Sequence, residues 1–485
     1  MPHTNLTFRE PLQTAVRHAL AHIENLDALP VAATASLETL RTRLARPLAD
    51  DGAPPGQVIE DLVRDSAGGI VASAGGRFYS WVIGGSVPAA LAADWLTSAW
   101  DQNAGLYAAG PAAALVEEIA GEWLKELLGI PAGASFAFVT GCQMAHVTCL
   151  AAARHAVLER RGWDVEARGL SGAPAIRLLA SRERHGSVKR AVRLLGMGSD
   201  NLIGLDTDDQ GRLDPQALEQ ALASDPAANH NAPTIVILQA GELNTGVFDP
   251  FEQLIPIARR YNAWVHVDGA FGLWANASPR FRHLCAGAAA ADSWATDGHK
   301  WLNVPYDCGY AFVADPHAQR AAMSYQASYW VFESAAREQI DWNPEWSRRA
   351  RGFATYAAIR QLGRSGIAGI VERCCDCARA LTLGIGRLPG AEVLWEPVIN
   401  QGLVRFLDPS GQNHDRRTDE VIAAVLASGE AFFGGVTWRG MRAMRISVCN
   451  WMTSERDVER VIRAVERAME AVFHALQSDP DIWSH

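Results

Sequence analysis

Hydrophobic and polar positions change period along the middle of the chain. Seven short segments rich in β-branched and aromatic residues predict buried strands. They cover residues 135–140, 176–180, 201–205, 234–238, 263–267, 292–296 and 309–313. Helical periodicity fills most of the intervals, at residues 112–128, 143–161, 187–195, 215–223 and 250–260. Strands that alternate with helices are typical of the α/β class, so we predict a mainly parallel seven-stranded sheet flanked by helices on both faces.

Helical patterns dominate the two ends of the chain. Helices are expected near the N-terminus at residues 12–23, 36–44 and 57–65, too few to close a core by themselves. After residue 345, two amphipathic stretches precede strands at 404–408 and 443–449 and helices at 418–427 and 454–476. These patterns predict an N-terminal helical segment over residues 1–75, a large domain over 76–360 and a smaller C-terminal α/β domain over 361–485.

Composition narrows the class of protein. Of 485 residues, 48% are hydrophobic and 20% charged, which favours several packed units and little disorder. A net charge of −10 without a long Lys/Arg run argues against nucleic acid as a partner. The start lacks a basic stretch followed by an apolar core, and no segment offers about 18 uninterrupted apolar residues. We therefore expect a cytoplasmic protein with no membrane partner.

The eight cysteines are scattered, as expected of reduced thiols in a cytosol. Cys374, Cys375 and Cys377 lie in a helical pattern. No second cysteine pair or histidine pair completes a zinc spacing around them, so helix packing is expected there and no metal site is predicted.

Ligands of open parallel sheets bind beyond the carboxyl ends of the strands, which directs attention to the residues that follow each strand. The strand at 135–140 ends in Thr140, Gly141, Cys142 and Gln143 and turns directly into a helix. Free N–H groups and the positive end of the helix dipole suit a phosphate there. An ordinary strand–helix turn is the alternative.

Three other strand ends carry candidate chemistry. His185 follows the strand at 176–180, just before Ser187 as a plausible helix N-cap, and could stack on an aromatic ligand, transfer protons or be a solvated loop residue. Asp268 could hold a pyridinium N–H, bind a metal or cap a turn. Lys300 lies beside His299, where desolvation would lower its pKa and free its amine for a Schiff base, although most lysines are surface charges.

Taken together, these features describe a phosphorylated, protonated pyridine that carries an aldehyde. The helix N-terminus at Gly141 would take the phosphate, His185 would cover the ring, Asp268 would hold the pyridinium charge and Lys300 would bind the aldehyde. Pyridoxal 5'-phosphate (PLP) satisfies every requirement.

The motifs around these positions also resemble a known family. VHVDGAFG (265–272), ATDGHKWLNVPYDCG (295–309) and the histidine of SRERHGSV follow one another as in the group II PLP-dependent amino-acid decarboxylases, and the resemblance runs from about residue 76 to 450. It implies the aspartate aminotransferase fold (fold type I), decarboxylation of an amino acid, and an obligate homodimer whose N-terminal helices clasp the partner.

The resemblance also assigns roles. Lys300 would be the Schiff-base lysine, Asp268 the partner of the pyridine nitrogen, and His185 the stacking histidine. Ala270 would pack under the ring, and His299 would support the phosphate or the lysine. Residues Thr140 to Gln143 would form the phosphate turn.

Three departures from the family pattern bear on the reaction. The phosphate turn reads Thr-Gly-Cys-Gln-Met-Ala-His (140–146) instead of Ser-Gly-Gly-Ser/Thr-Glu-Ala-Asn, and Gly241-Glu242-Leu243 replaces a Gly-Thr-Thr turn. The tyrosine that returns a proton to Cα is missing between Phe332 and Thr355. Tyr325, Tyr329 or His185 would have to supply the proton, or the reaction differs.

Several functions therefore stay open. The leading one is a decarboxylase that forms an amine, and the second is a PLP-dependent aldehyde-forming oxidative deaminase or carbon–carbon lyase. Outside PLP chemistry, a metal-dependent hydrolase could use His266, Asp268, Asp297 and His299, and a catalytically inactive homologue could serve as a binding partner.

The amino-acid substrate is not determined by these patterns. Trp81, Trp100 and Tyr107 hint at an aromatic-lined pocket. Arg445 would either meet a substrate carboxylate or form a structural salt bridge.

Overall fold

The computed structural model describes residues 7–224, 232–325 and 336–478. Its larger sheet has seven strands: β1 Ser135–Val139, β2 Arg177–Ser181, β3 Leu202–Leu205, β4 Thr234–Gln239, β5 Trp264–Asp268, β6 Ser293–Asp297 and β7 Gly309–Val313. Its smaller sheet has four strands: β8 Ala391–Trp395, β9 Gln401–Phe406, β10 Gly434–Trp438 and β11 Met441–Ser447. Every strand predicted from the sequence is confirmed, with ends shifted by a few residues at most.

Helices account for much of the rest of the described chain. The α-helices are α1 Arg9–Glu24, α2 Leu37–Leu44, α3 Pro55–Ser66, α4 Pro88–Trp100, α5 Pro111–Leu128, α6 Cys142–Glu159, α7 Val165–Arg168, α8 Gly186–Leu194, α9 Pro215–Ala223, α10 Phe251–Arg260, α11 Pro316–Met323, α12 Gly352–Gly386, α13 His414–Ala427 and α14 Glu455–Ser478. Short 3₁₀ turns lie at Tyr107–Ala109, Ser199–Asn201, Gly272–Ala277, Arg282–Cys285, Ala288–Ala290 and Gln339–Asp341.

The large sheet has the order β1-β7-β6-β5-β4-β2-β3. Strands β3, β2, β4, β5 and β6 are parallel neighbours, whereas β7 runs antiparallel between β6 and β1. The prediction of a mainly parallel seven-stranded α/β sheet is therefore confirmed. Register pairs Asp268 with Gln239 on one side and Ala295 on the other, which brings the carboxyl ends of β4, β5 and β6 to one edge.

Helix α6 lies directly after β1 and packs against β7, α8 and α11. Most of its residues are buried, including an alanine-rich run at 151–153. Alanine has the highest helix propensity and lets neighbouring elements approach closely, which explains a helix buried on several sides. One end of α6 reaches the sheet edge described above, and at 1.5 Å per residue the other end lies about 25 Å away.

The C-terminal part is built on an antiparallel sheet with the order β10-β11-β9-β8. Strands β8 and β10 were missed by the sequence analysis. The two amphipathic stretches expected after residue 345 form α12, which is interrupted at Gly363, where φ is 60°. The expected domain boundary at residue 360 falls inside α12, and the division into three domains stays a prediction.

The N-terminal helices α1 to α3 pack on one another. No residue of α1 is buried, and Leu12 and Leu20 are 57% and 47% exposed. Among the described residues, no helix has both the length and the apolar character needed to cross a membrane.

Candidate active site

A cleft of about 820 Å³ opens at the carboxyl edge of the large sheet. Most of the residues predicted for the site line it: Gly141, Cys142, Gln143, His185, Asp268, Ala270, His299 and Lys300. Thr140 is absent from this lining. The structure therefore brings together side chains and turns that are up to 160 residues apart in the sequence, as the strand-end argument required.

Lys300 is held by an ion pair inside the cleft. Its Nζ lies 3.0 Å from Oδ2 of Asp297, and its side chain is 17% exposed. Burial by itself would lower the pKa of Lys300, but the charge of Asp297, assisted by that of Asp268, raises it above its ordinary value. The expectation that desolvation would lower this pKa is wrong for this structure, because a carboxylate in contact outweighs burial.

Asp297 connects the lysine to the start of α6. Its Oδ1 accepts the backbone N–H of Cys142 at 2.6 Å and lies 3.4 Å from Nε2 of His299. Its backbone carbonyl accepts a hydrogen bond from Nε1 of Trp274 at 3.0 Å. From the sequence, Asp297 was a candidate only for the metal ligands of a hydrolase. Its position three residues before Lys300, at the end of β6, was the available signal.

Two groups of the predicted phosphate turn already form hydrogen bonds with other parts of the protein. Gly141 is the N-cap of α6, and the N–H of Cys142 already donates to Asp297. The side-chain amide of Gln143 donates to the carbonyl oxygen of Ser187 at 3.2 Å, which ties α6 to α8. The Asp297 carboxylate therefore lies at the positive end of the α6 dipole, and the role of this turn in binding phosphate stays a prediction.

Asp268 is ionised although it is almost completely buried. It is 6% exposed, and burial would raise its pKa. His146 outweighs burial, with Nε2 3.4 Å from Oδ2, and the backbone N–H of Ala270 donates to Oδ1 at 3.2 Å. These partners, with the nearby His185, hold the pKa of Asp268 well below its usual range. The site therefore contains a buried negative charge at neutral pH.

A second histidine, His266, contacts the ring nitrogen of His146 that does not face Asp268. Nδ1 of His146 lies 2.9 Å from Nε2 of His266, and the rings meet edge to face with centroids 5.2 Å apart. Nδ1 of His266 lies 2.9 Å from Oγ of Ser293. Burial lowers the pKa of His266 to about 3, so this ring is neutral. The chain Asp268–His146–His266–Ser293 was missed by the sequence analysis, although β-strand alternation places His266 and Asp268 on the same face of β5.

His185 caps α8. Its Nδ1 accepts the backbone N–H of Ser187 at 3.2 Å and lies 2.7 Å from the Ser187 hydroxyl. The expectation that Ser187 is the N-cap is therefore wrong, and His185 has that position. Because Nδ1 is an acceptor, the proton of the neutral ring is on Nε2. The ring is exposed at the mouth of the cleft.

Apolar and aromatic side chains form part of the cleft wall. Trp81, Leu243, Phe271 and Tyr306 line it, whereas Trp100 and Tyr107 do not. The Tyr306 ring stacks on His299 with centroids 4.3 Å apart. Tyr306 is 59% exposed, and its partial burial raises its pKa to about 12, so its hydroxyl keeps its proton at neutral pH. No role for Tyr306 in the site was predicted from the sequence.

Tyr325 and Tyr329, the two tyrosines predicted from the sequence as proton donors, are not placed in the cleft by the described structure. Tyr325 is 55% exposed and does not line the cleft. Tyr329 lies outside the described residues, as does Phe332.

Arg445 reaches the cleft from β11. It is 4% exposed, and its guanidinium donates to the carbonyl oxygen of Leu243 at 3.4 Å. Burial lowers its pKa to about 10. None of the ion pairs among the described residues includes Arg445, so the expected structural salt bridge is not found there. The nearby Glu242 instead accepts the backbone N–H groups of Asn244 and Thr245, each at 2.8 Å.

The geometry does not favour the metal-hydrolase alternative. In the part of the chain that the structure describes, two clusters have metal-ligating atoms within 4.8 Å of one another, and neither includes His266, Asp297 or His299. Cys374, Cys375 and Cys377 are buried in α12, with Sγ of Cys374 3.5 Å from the carbonyl oxygen of Asn450.

Comparisons with known proteins agree with the sequence motifs. The family description "Pyridoxal-dependent decarboxylase conserved domain" matches residues 38–407. A 4-hydroxyphenylacetaldehyde synthase from Rhodiola rosea is 25% identical, covering 90% of this chain and 92% of that protein. The acidic amino acid decarboxylase GADL1 from Xenopus tropicalis is 28% identical over 78% of this chain and 74% of its own length. The crystal structure of Oryza sativa TDC with PLP and tryptamine has a TM-score of 0.90 at 22% identity, covering 97% of this chain and 99% of that one.

Proposed function

Since this chain belongs to the pyridoxal-dependent decarboxylase family, we propose that it converts an aromatic L-amino acid to its amine in the cleft around Lys300 and Asp268. The enzyme is a PLP-dependent carboxy-lyase that acts on an amino acid. The observation that carries the assignment of the site is the buried, ionised carboxylate of Asp268 in the same cleft as the amine of Lys300.

The donors and acceptors of the cleft fit PLP. Asp268 offers a negative charge for a pyridinium N–H, and Lys300 offers a primary amine for an aldehyde. Gln239, in register with Asp268, contributes a buried amide nitrogen that makes no hydrogen bond among the described residues. That orphaned donor suits the ring hydroxyl of the cofactor, since a buried unpaired amide is costly without a ligand.

Bound PLP supplies an electron sink for the carbon that loses carbon dioxide. Asp268 would keep the ring nitrogen protonated, and His146, supported by His266, holds Asp268 in place. Lys300 would hold the cofactor through its amine, and the Asp297 carboxylate in contact with it would orient that amine in the cleft. His185, which lines the mouth of the cleft, would cover the ring and limit access of water.

The family tyrosine that returns a proton to Cα is missing between Phe332 and Thr355, so another residue must donate this proton. Tyr306 is proposed for this role because it lines the cleft and is protonated at neutral pH. His185, with its proton on Nε2, is the second donor within the same cleft. Where protonation is slow, oxygen competes, and an amino acid, oxygen and water give an aldehyde, carbon dioxide, ammonia and hydrogen peroxide. We therefore expect the amine as main product with an aldehyde fraction that rises in air.

The aromatic substrate class follows from the shape and polarity of the wall. Trp81, Phe271 and Tyr306 offer flat apolar surfaces to a ring, and Arg445 offers a cation to a carboxylate. One relative is a 4-hydroxyphenylacetaldehyde synthase, and a structural neighbour was solved with tryptamine, which agrees with this class. The buried cation of Arg445 favours a second candidate, an acidic amino acid, as in the name of the other relative.

Product analysis distinguishes the two classes. The PLP-loaded protein is incubated with a pool of amino acids, and amines, aldehydes and carbon dioxide are measured by mass spectrometry. We expect kcat/KM for tryptophan, tyrosine or phenylalanine to exceed that for glutamate and cysteine sulfinate. A preference for the acidic substrates would refute the aromatic assignment, and no carbon dioxide from any amino acid would refute the proposed reaction.

We also propose a homodimer in which the N-terminal helices clasp the partner. Leu12 and Leu20 of α1 are exposed apolar residues that a partner surface would cover. Sedimentation velocity tests this, and a monomer at micromolar concentration would contradict it. Cytoplasmic location stays a prediction of the sequence.

A further inference from the structure

A second cluster of metal-ligating side chains lies at the far end of α6. His155 and Glu159 are one helical turn apart near the end of α6, and His317 is in the first turn of the neighbouring α11. One ligand atom from each of the three lies within 4.8 Å of the others. At 1.5 Å per residue, His155 is about 20 Å along α6 from Cys142, so the cluster is separate from the cleft.

The imidazole of His155 is already oriented as a ligand. The residue is 8% exposed, and its Nε2 is buried without a hydrogen-bond partner among the described residues. Its Nδ1 lies 2.5 Å from Oε2 of Glu166, so the ring proton is placed on Nδ1 and the lone pair on Nε2 is free. Metal-binding histidines commonly donate their other N–H to a carboxylate in this way.

The spacing fits an ion between the side chains. Nε2 of His155 lies 3.6 Å from Oε2 of Glu159, which is beyond hydrogen-bond distance. Two donors with zinc bonds of about 2.0 to 2.2 Å at a tetrahedral angle are separated by about 3.3 to 3.6 Å. His317 is exposed, and the side chain of Glu159 is 56% exposed, so both can adjust to an ion and leave one position open to water.

The chemistry of the ligands selects the kind of ion. Two neutral imidazoles and one carboxylate suit a divalent transition metal, whereas Ca²⁺ and Mg²⁺ prefer oxygen ligands alone. Arg154 lies 3.7 Å from the other carboxylate oxygen of Glu166, which offsets the charge of that carboxylate. The competing arrangement is an imidazolium between Glu159 and Glu166, which would have no free lone pair and bind no metal.

We propose that His155, Glu159 and His317 form a binding site for Zn²⁺, with Glu166 orienting His155 and water as the fourth ligand. The ion would clamp the end of α6 to the start of α11, at the opposite end of α6 from the predicted phosphate turn. This site is independent of the proposed function, because none of its residues lines the cleft.

The test is zinc titration of the PLP-loaded, tag-free full chain by calorimetry. Loading with PLP matters because the other cluster of ligating atoms, formed by Cys142, His146 and Asp268, includes two residues that line the cleft, Cys142 and Asp268. We expect one Zn²⁺ per chain and a higher melting temperature with Zn²⁺ than without. H317A and E159Q change exposed residues and should weaken binding at least about tenfold. E166Q should weaken it by about 10- to 100-fold, as observed for carboxylates that orient ligating histidines.

H283A provides the matched control, since His283 is an exposed histidine outside the cluster. It should bind Zn²⁺ as the wild type does. Absence of saturable binding by the wild type, or binding that H317A leaves unchanged, would overturn the proposal. Replacement of Zn²⁺ by Co²⁺ gives a spectroscopic check, because a tetrahedral site with nitrogen and oxygen ligands produces strong visible absorption that H317A should abolish.

Discussion

Replacement of Asp268 by Asn tests the charge on which the proposed site depends. The substitution keeps the size of the side chain and its contact with the backbone N–H of Ala270, but removes the negative charge. His146 then loses the carboxylate that lies 3.4 Å from its Nε2, and the ring nitrogen of the cofactor would lose the group that keeps it protonated. The fold should persist, because the position stays polar and filled.

The expected magnitude follows from the charges involved. Two unit charges about 3 Å apart attract by roughly 5 kcal/mol at an effective dielectric of about 20, and relaxation of the site recovers part of this. Losses of roughly 10² to 10⁴ in kcat are therefore expected, or about 2.7 to 5.5 kcal/mol of transition-state stabilisation.

The assay measures kcat at saturating PLP, with cofactor content determined by absorbance and the fold checked by melting temperature. D206N is the matched control, because Asp206 forms an exposed ion pair with Arg182 at 2.8 Å and should have little effect. A value of kcat for D268N within about threefold of the wild type, roughly 0.65 kcal/mol, would refute the role of Asp268.

Three further predictions concern other parts of the site. Borohydride reduction of the PLP-loaded enzyme followed by peptide mapping should label Lys300, and label on a different lysine would contradict the assignment. Tyr306→Phe should raise the aldehyde and hydrogen peroxide made per amine in air but not under nitrogen; a ratio in air equal to that of the wild type would exclude Tyr306 as the proton donor. The buried His266 has a folded-state pKa of about 3, below its unfolded value, so as pH falls below about 6.5 the unfolded state binds the proton first and stability is lost, by about 1.4 kcal/mol per pH unit. H266Q should lack this component of the pH dependence in urea unfolding between about pH 6 and 4, and an identical dependence would show that His266 does not remain neutral.

Much of the large domain could be predicted from the sequence because its elements are local patterns. The seven strands, the helices between them and the residues at the strand ends depend on periodicities of two and about 3.6 residues. Strands β8 and β10 escaped the same reasoning. β10 begins with Gly434 and Gly435, which provide no side chains for a strand pattern, and no residue of β8 or β10 is fully buried.

The sequence by itself determined that Asp268 and Lys300 lie in one cleft, because strands β5 and β6 bring their carboxyl ends to the same edge of the sheet. Only the tertiary structure decided their protonation and their partners. The Asp297 carboxylate in contact with Lys300 reverses the pKa shift expected from burial, and His146 keeps Asp268 ionised from a helix more than a hundred residues away. These outcomes depend on distances of 3 to 4 Å between groups remote in the chain, because charge interactions inside a protein change by several kcal/mol over such distances.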